Sequence, residues 1–153
     1  MEFNLNGEKR TYQGDPNQNL MDYLRNTEKI ISPKDGCSPE GVCGCCTVLL
    51  DNKAVKSCIS AMKRVEGKQV VTTEGLHPEK RETVINAFME KGGLQCGFCT
   101  PGILMKVWPL FDAPEKSVGR TLSKHSTATS AAAQDSRRLS THACTRRKRS
   151  NGV

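Results

Sequence analysis

No stretch of this 153-residue chain approaches the roughly 18–20 consecutive apolar residues of a membrane span, so no membrane partner is expected. Met1 is followed by Glu2 and Asn4 rather than by the apolar run of a secretory signal, and the expected compartment is the cytoplasm. In that reducing setting eight cysteines do not read as a disulfide framework. Also missing are a glycine-rich dinucleotide fingerprint and any acid–base constellation, so the chain carries no catalytic residue set of its own. Histidine is scarce, and His77, His125 and His142 sit at no zinc-ligand spacing; His77 reads as a surface residue at a helix start.

The formal net charge of +7 suggests a nucleic-acid footprint until it is divided along the chain. Residues 1–114 hold 14 Lys and Arg against 14 Asp and Glu, while residues 115–153 hold nine against two, so the whole excess lies in the tail. That tail is rich in Ser, Thr, Ala and Arg, has no aromatic residue, and is expected to be disordered as written. Its Arg146-Arg147-Lys148-Arg149 run has neither aromatic interleaving nor folded support, so no nucleic-acid partner is expected.

What is present is cysteine, in two groups. Cys37, Cys43, Cys45 and Cys46 share one glycine-rich loop, Cys58 follows with eleven residues between it and Cys46, and Cys96 and Cys99 form a CxxC pair. A [2Fe–2S] cluster needs four converging thiolates, and plant-type ferredoxins supply three from a tight loop and the fourth from further along. Gly36, Gly41 and Gly44 are read as positions that adopt φ > 0, letting the chain wrap a cluster and aim backbone N–H groups at its sulfurs.

The first 75 residues read as a small sheet with one helix. Phe3 and Leu5 alternate with polar neighbours, Asn6-Gly7 is a hairpin turn, and the return strand is expected over about Lys9 to Gln13. Leu20, Met21, Tyr23 and Leu24 recur at helical spacing after Asp15-Pro16. Cys46 to Leu50, a turn at Asp51-Asn52, and Lys53 to Val55 form a second hairpin, and Gln69-Val70-Val71-Thr72 a last strand. This is the β-grasp arrangement. A second unit begins near Gly75: after His77-Pro78 a helix presents Val84, Ile85, Phe88 and Met89 and stops at Gly92-Gly93. Thr100 as N-cap and Pro101 in the first turn start another, with Ile103, Leu104, Val107 and Trp108 on its apolar face and Cys99 just before its N-terminus. Phe98 and Trp108 read as core residues.

With both groups read, residues 1 to about 110 resemble the iron–sulfur subunit of the xanthine dehydrogenase/oxidase family of molybdenum hydroxylases. Gly36-Cys37, Cys43-Gly44-Cys45-Cys46-Thr47-Val48, Asp51 and Ser57-Cys58 carry the first motif, and Gln95-Cys96-Gly97-Phe98-Cys99-Thr100-Pro101-Gly102 the second. The resemblance implies an α+β chain: a ferredoxin-like β-grasp domain over 1–75, a truncated four-helix-bundle 2Fe-2S domain over 76–114, and the basic tail over 115–153. It implies that Cys37, Cys43, Cys46 and Cys58 ligate a first [2Fe–2S] cluster, that Cys96 and Cys99 give two ligands of a second, and that Gln95 contacts the pterin of a partner's molybdenum cofactor. The implied role is electron transfer within a multi-subunit oxidoreductase, from a molybdopterin-binding large subunit to an FAD-binding medium subunit or another acceptor. Which substrate such a complex hydroxylates is set on another chain.

The chain departs from the family pattern in three places. Five residues separate Cys37 from Cys43 where the plant-type spacing has four, so a bulge is expected at Ser38-Pro39. Cys45 occupies a variable position and reads as a free thiol. The family's Cys-Arg-Cys-Thr-Gly motif, which completes the second cluster, is absent, and the remaining Cys144 reads as a bystander. Permitted codons for residues 127–143, read one base earlier, encode that motif, which points to a frameshift between Lys106 and Ser126. The alternative reading is a damaged subunit holding only its first cluster, with the apolar faces of two unpartnered helices exposed. Weaker alternatives are a zinc site built from Cys43, Cys46, Cys96 and Cys99, and a thioredoxin-type CxxC, which lacks its βαβ context.

Overall fold

In the computed structural model, which describes residues 1–112, the chain opens with the expected hairpin: β1 (Glu2–Leu5) and β2 (Glu8–Thr11) joined through Asn6 and Gly7 at φ 53° and 92°. Both central residues with φ > 0 match the right-handed strand twist. A second turn of the same hand, Asp51 (φ 49°) and Asn52 (φ 62°), joins β3 (Thr47–Leu50) to β4 (Lys53–Lys56), using small polar side chains that tolerate this region. β5 (Gln69–Val71) pairs parallel to β1 and antiparallel to β3, completing a mixed sheet of order β2-β1-β5-β3-β4.

The expected helix forms at α1 (Leu20–Asp22), capped by the Asn19 side chain, but only its first turn is α-helical. Residues Tyr23–Thr27 continue as a wider π turn in which the Glu28 N–H reaches the Tyr23 carbonyl, and Lys29 at φ 58° ends it. Leu20, Met21, Tyr23 and Leu24 are all buried as their spacing predicts. Leu20, Tyr23 and Leu24 form one core with Phe3, Leu5, Val48, Leu50, Met62 and Val70.

The opposite sheet face is covered by α3 (Thr100–Asp112), and α2 (Pro78–Glu90) adds Val84 to the core on that face. Leu49 points there, into a second core with Leu76, Val84, Leu104, Met105 and Trp108, so every residue of β3 is buried. The apolar face of α3 is therefore covered by the sheet, contrary to the expected exposure. It is also rotated from expectation: Leu104, Met105 and Trp108 are buried while Ile103 and Val107 are half-buried. On α2 only Val84 is buried, and Met89 remains 61% exposed. Thr100 is the first helical residue rather than the cap. The Cys99 carbonyl accepts from the Ile103 N–H at 3.0 Å, because a turn closed by the Thr100 N–H on the Gly97 carbonyl starts the helix one residue early. Expectations for Cys144, the 146–149 basic run, the disordered tail and the shifted reading frame lie outside the described residues.

Glu74 ties the loop after the π turn to the end of β5. Its carboxylate accepts from Thr72 Oγ1 (2.6 Å) and Ser32 Oγ (2.7 Å), while Asn6 brackets Thr72 by accepting from its N–H and donating to its hydroxyl. Desolvation pushes the Glu74 carboxyl up, but these hydrogen bonds outweigh it and hold the group below its ordinary 4.5. A depressed carboxylate contributes stability above its unfolded pKa and loses it as pH falls through the folded one. Glu74→Gln is thus expected to lower the melting temperature at neutral pH and to flatten its fall below about pH 4.5. Melting curves from pH 7 to 3 check this, and parallel acid limbs in both proteins count against it.

Candidate iron–sulfur centre

The β3–β4 hairpin explains the spacing of the last two loop cysteines. Cys46 directly precedes β3 and Cys58 lies in the single 3-10 turn Ser57–Ile59 after β4. Because Thr47 pairs with Lys56, the residues flanking the hairpin meet; Ser57 donates its N–H (3.2 Å) and its hydroxyl (2.7 Å) to the Cys46 carbonyl. Cys46 and Cys58 are 1% and 5% exposed and cluster with Met21.

The other two thiols come from the preceding loop. Asp35 accepts from the N–H groups of Cys37 and Ser38, and Ser38 takes φ 54°, which is the bulge expected where the loop holds its extra residue. The Val42 N–H points at Cys37 Sγ and the Cys45 N–H at Cys43 Sγ, each at 3.4 Å. The Gly41 N–H acts on both Cys37 and Cys58. Cys37 interacts with Cys43, and Cys58 with Cys46 and Cys37, so these four thiols form one connected group. Gly41 and Gly44 have φ 69° and 74° as expected, but Gly36 does not have positive φ. Its requirement is space: a Cβ there would stand 3.2 Å from both Cys43 Sγ and the Phe98 ring. Phe98 is itself 45% exposed rather than core.

The electrostatics of the loop follow from this geometry. Backbone N–H groups of Cys43 and Val42 hold the Cys37 thiol below its ordinary value, as they would stabilise a thiolate. Burial, then Cys46, pushes Cys58 up to about 12, and a thiol that ligates metal must give up its proton. Burial and then Cys43 do the same to Cys45, also to about 12.

Helix α3 is seated on this loop. A Cβ on Gly102 would lie 2.4 Å from the Gly44 carbonyl oxygen and 2.8 Å from Cys45 Cα. Cys99, at the start of the same helix, interacts with Cys45. The Lys106 ammonium, one turn further on, would be 3.0 Å from a Cβ on Gly44 and is fully buried with no hydrogen-bond partner among the described residues. Burial, then repulsion by Lys56, pushes Lys106 below 10.5, and the thiols of Cys45, Cys43 and Cys46 pull it back. Sequence reading assigned no role to Gly102 or Lys106, since neither has meaning until α3 docks.

An anionic two-iron cluster fits this loop: it answers four thiols, the N–H groups aimed at their sulfurs and the orphaned ammonium. No three His, Cys, Asp or Glu side chains among the described residues converge as a single-ion site requires. The second group is less complete. Cys96 is exposed and Cys99 half-buried, on either side of Gly97 (φ 76°), with Gln95 exposed beside them.

Comparison with known proteins bears on both cysteine groups. Residues 3–73 match a "2Fe-2S iron-sulfur cluster binding domain" and residues 72–147 a "[2Fe-2S] binding domain". The chain is 39% identical over 113 residues to the nicotine 6-hydroxylase small subunit of Paenarthrobacter nicotinovorans, covering 74% of this chain and 68% of that protein. It is 36% identical over 117 residues to the xanthine dehydrogenase iron-sulfur-binding subunit of Escherichia coli O157:H7, covering 76% and 72%. Among solved structures, aldehyde oxidoreductase from Desulfovibrio gigas superposes with a TM-score of 0.70 at 32% identity, over 84% of this chain and 15% of that one. The α+β architecture, the paired 2Fe-2S modules and these relatives agree, and the chain belongs to the family of small iron–sulfur subunits of xanthine dehydrogenase-type molybdenum hydroxylases.

Proposed function

We propose that this chain is the electron conductor of a heteromeric hydroxylase, linking a molybdopterin-containing subunit to an FAD-containing subunit or another acceptor. A bound [2Fe–2S] cluster supplies one-electron acceptance and release. In this reading Cys37, Cys43, Cys46 and Cys58 hold the first cluster, Cys96 and Cys99 provide two ligands of the second, and Gln95 meets the partner's pterin. The observation that carries it is the seating of α3 on the loop: Gly102, three residues after Cys99, packs against Gly44 and Cys45, so the helix that follows the second ligand group rests on the loop that carries the first. The chain's own residues hold the thiolates, dry the site and aim N–H dipoles at the sulfurs, which sets potential.

A one-cluster variant of this reading rests on the second group, where the described residues offer the adjacent pair Cys96 and Cys99 and the family's completing motif is missing from the sequence. Iron, acid-labile sulfide and zinc per purified full-length chain, with EPR after reduction, separate the two. About four irons and two rhombic signals support the complete conductor, and about two irons with one signal the single-cluster chain. Zinc in place of iron overturns both. Resequencing the 3′ end of the gene tests the frameshift: codons incompatible with the shifted reading sink it.

A further inference from the structure

The buried ammonium of Lys106 has no role in holding thiolates. It lies on α3 between Leu104 and Trp108, which anchor the helix in the second core, so it is delivered to the cysteine loop by the docking of the helix. Its Nζ is inaccessible, unbonded among the described residues, and packed against Gly44, which stands between Cys43 and Cys45 in the loop, and the thiols of Cys45, Cys43 and Cys46 act on it electrostatically. The neighbouring cation, Lys56, is already bonded to the Gly41 carbonyl. A buried cation without a partner costs several kcal/mol unless an anion is nearby. The groups that act most strongly on it are Lys56 and the thiols of Cys45, Cys43 and Cys46, with no carboxylate among them.

We propose that Lys106 is a positioning residue for charge, whose ammonium stabilises the reduced first cluster and raises its midpoint potential. This rests on the reading of Cys37, Cys43, Cys46 and Cys58 as its ligands. Four thiolates leave the centre with a net negative charge, and accepting an electron adds one more unit. A fixed positive charge in a desolvated pocket therefore favours the reduced form more than the oxidised one.

The test compares wild type, Lys106→Met and Lys106→Arg as full-length chains. Met keeps the length of the side chain without its charge, and Arg keeps the charge. EPR-monitored titration with dithionite reads the potential of the first cluster, and iron is counted on the same samples. Lys106→Met is expected to disfavour reduction at least about tenfold, a drop of about 59 mV for one electron, at unchanged iron content, with Lys106→Arg close to wild type. Iron-free Lys106→Met is expected to melt higher than iron-free wild type, because it no longer buries an unpaired ammonium. Equal potentials at equal iron content overturn the inference while leaving the ligand assignment intact. Wild-type chain that binds no iron overturns the assignment and the inference with it.

Discussion

Cys46→Ala and Cys58→Ala are each expected to lose the first cluster outright, removing about two irons per chain and its EPR signal. Both thiols lie in the part of the loop most fully removed from solvent, at 1% and 5% exposure. Water cannot readily substitute as a ligand there, and alanine leaves an open coordination position in a dry wall. Cys45→Ala makes the contrast. Cys45 is also buried, at 7%, and interacts with Cys43, but the Cys37, Cys43, Cys46 and Cys58 set is connected without it. Its replacement is expected to keep the iron count. Iron and sulfide assays on the three variants decide the matter: iron lost with Cys45→Ala and retained with Cys58→Ala reverses the ligand assignment.

Gly102→Ala is expected to have the largest effect of any single added methyl group. Alanine in a helix is ordinarily worth about 1 kcal/mol over glycine. Here the added carbon would stand 2.4 Å from a carbonyl oxygen and 2.8 Å from a Cα, both backbone atoms that no rotamer change can move aside. Overpacking of this kind costs about 1–3 kcal/mol or more, so the steric term wins and α3 must lift from the loop. Urea unfolding of Gly102→Ala should show a lower midpoint. The same change at Gly67 is a useful comparison, because it meets nothing within 4 Å and tests only the strain of φ 68°. A Gly102→Ala midpoint equal to wild type means that α3 does not depend on this contact.

The two predictions draw on different kinds of information. The first was largely legible in the linear chain. Glycine and cysteine spacing marked the loop, and the Asp51-Asn52 turn placed Cys58 back beside Cys46 through a hairpin whose length equals the gap. Both hairpins and the start of α2 are local structures, governed by turn chemistry, strand alternation and a proline at the first helical turn. The second was invisible, since Gly102 became crowded only by a contact across more than fifty residues of chain. The same holds for the rotation that buries Met105. It holds too for the exposure of Phe98, and for Gly36 needing room rather than positive φ. The π turn at Tyr23–Thr27 also escaped the periodicity, because all four apolar residues are buried whether the turn is tight or wide.

By itself, then, the amino-acid sequence determined the β-grasp order of elements and the family, and it named the donor set proposed here, because ligand chemistry and turn geometry are written in neighbouring residues. Only the tertiary structure decided that the helical segment shares a core with the sheet through Leu49, and that α3 lies flat on the cysteine loop with a buried ammonium packed against it. Those outcomes depend on which faces of distant elements exclude water together, and no local pattern encodes that choice.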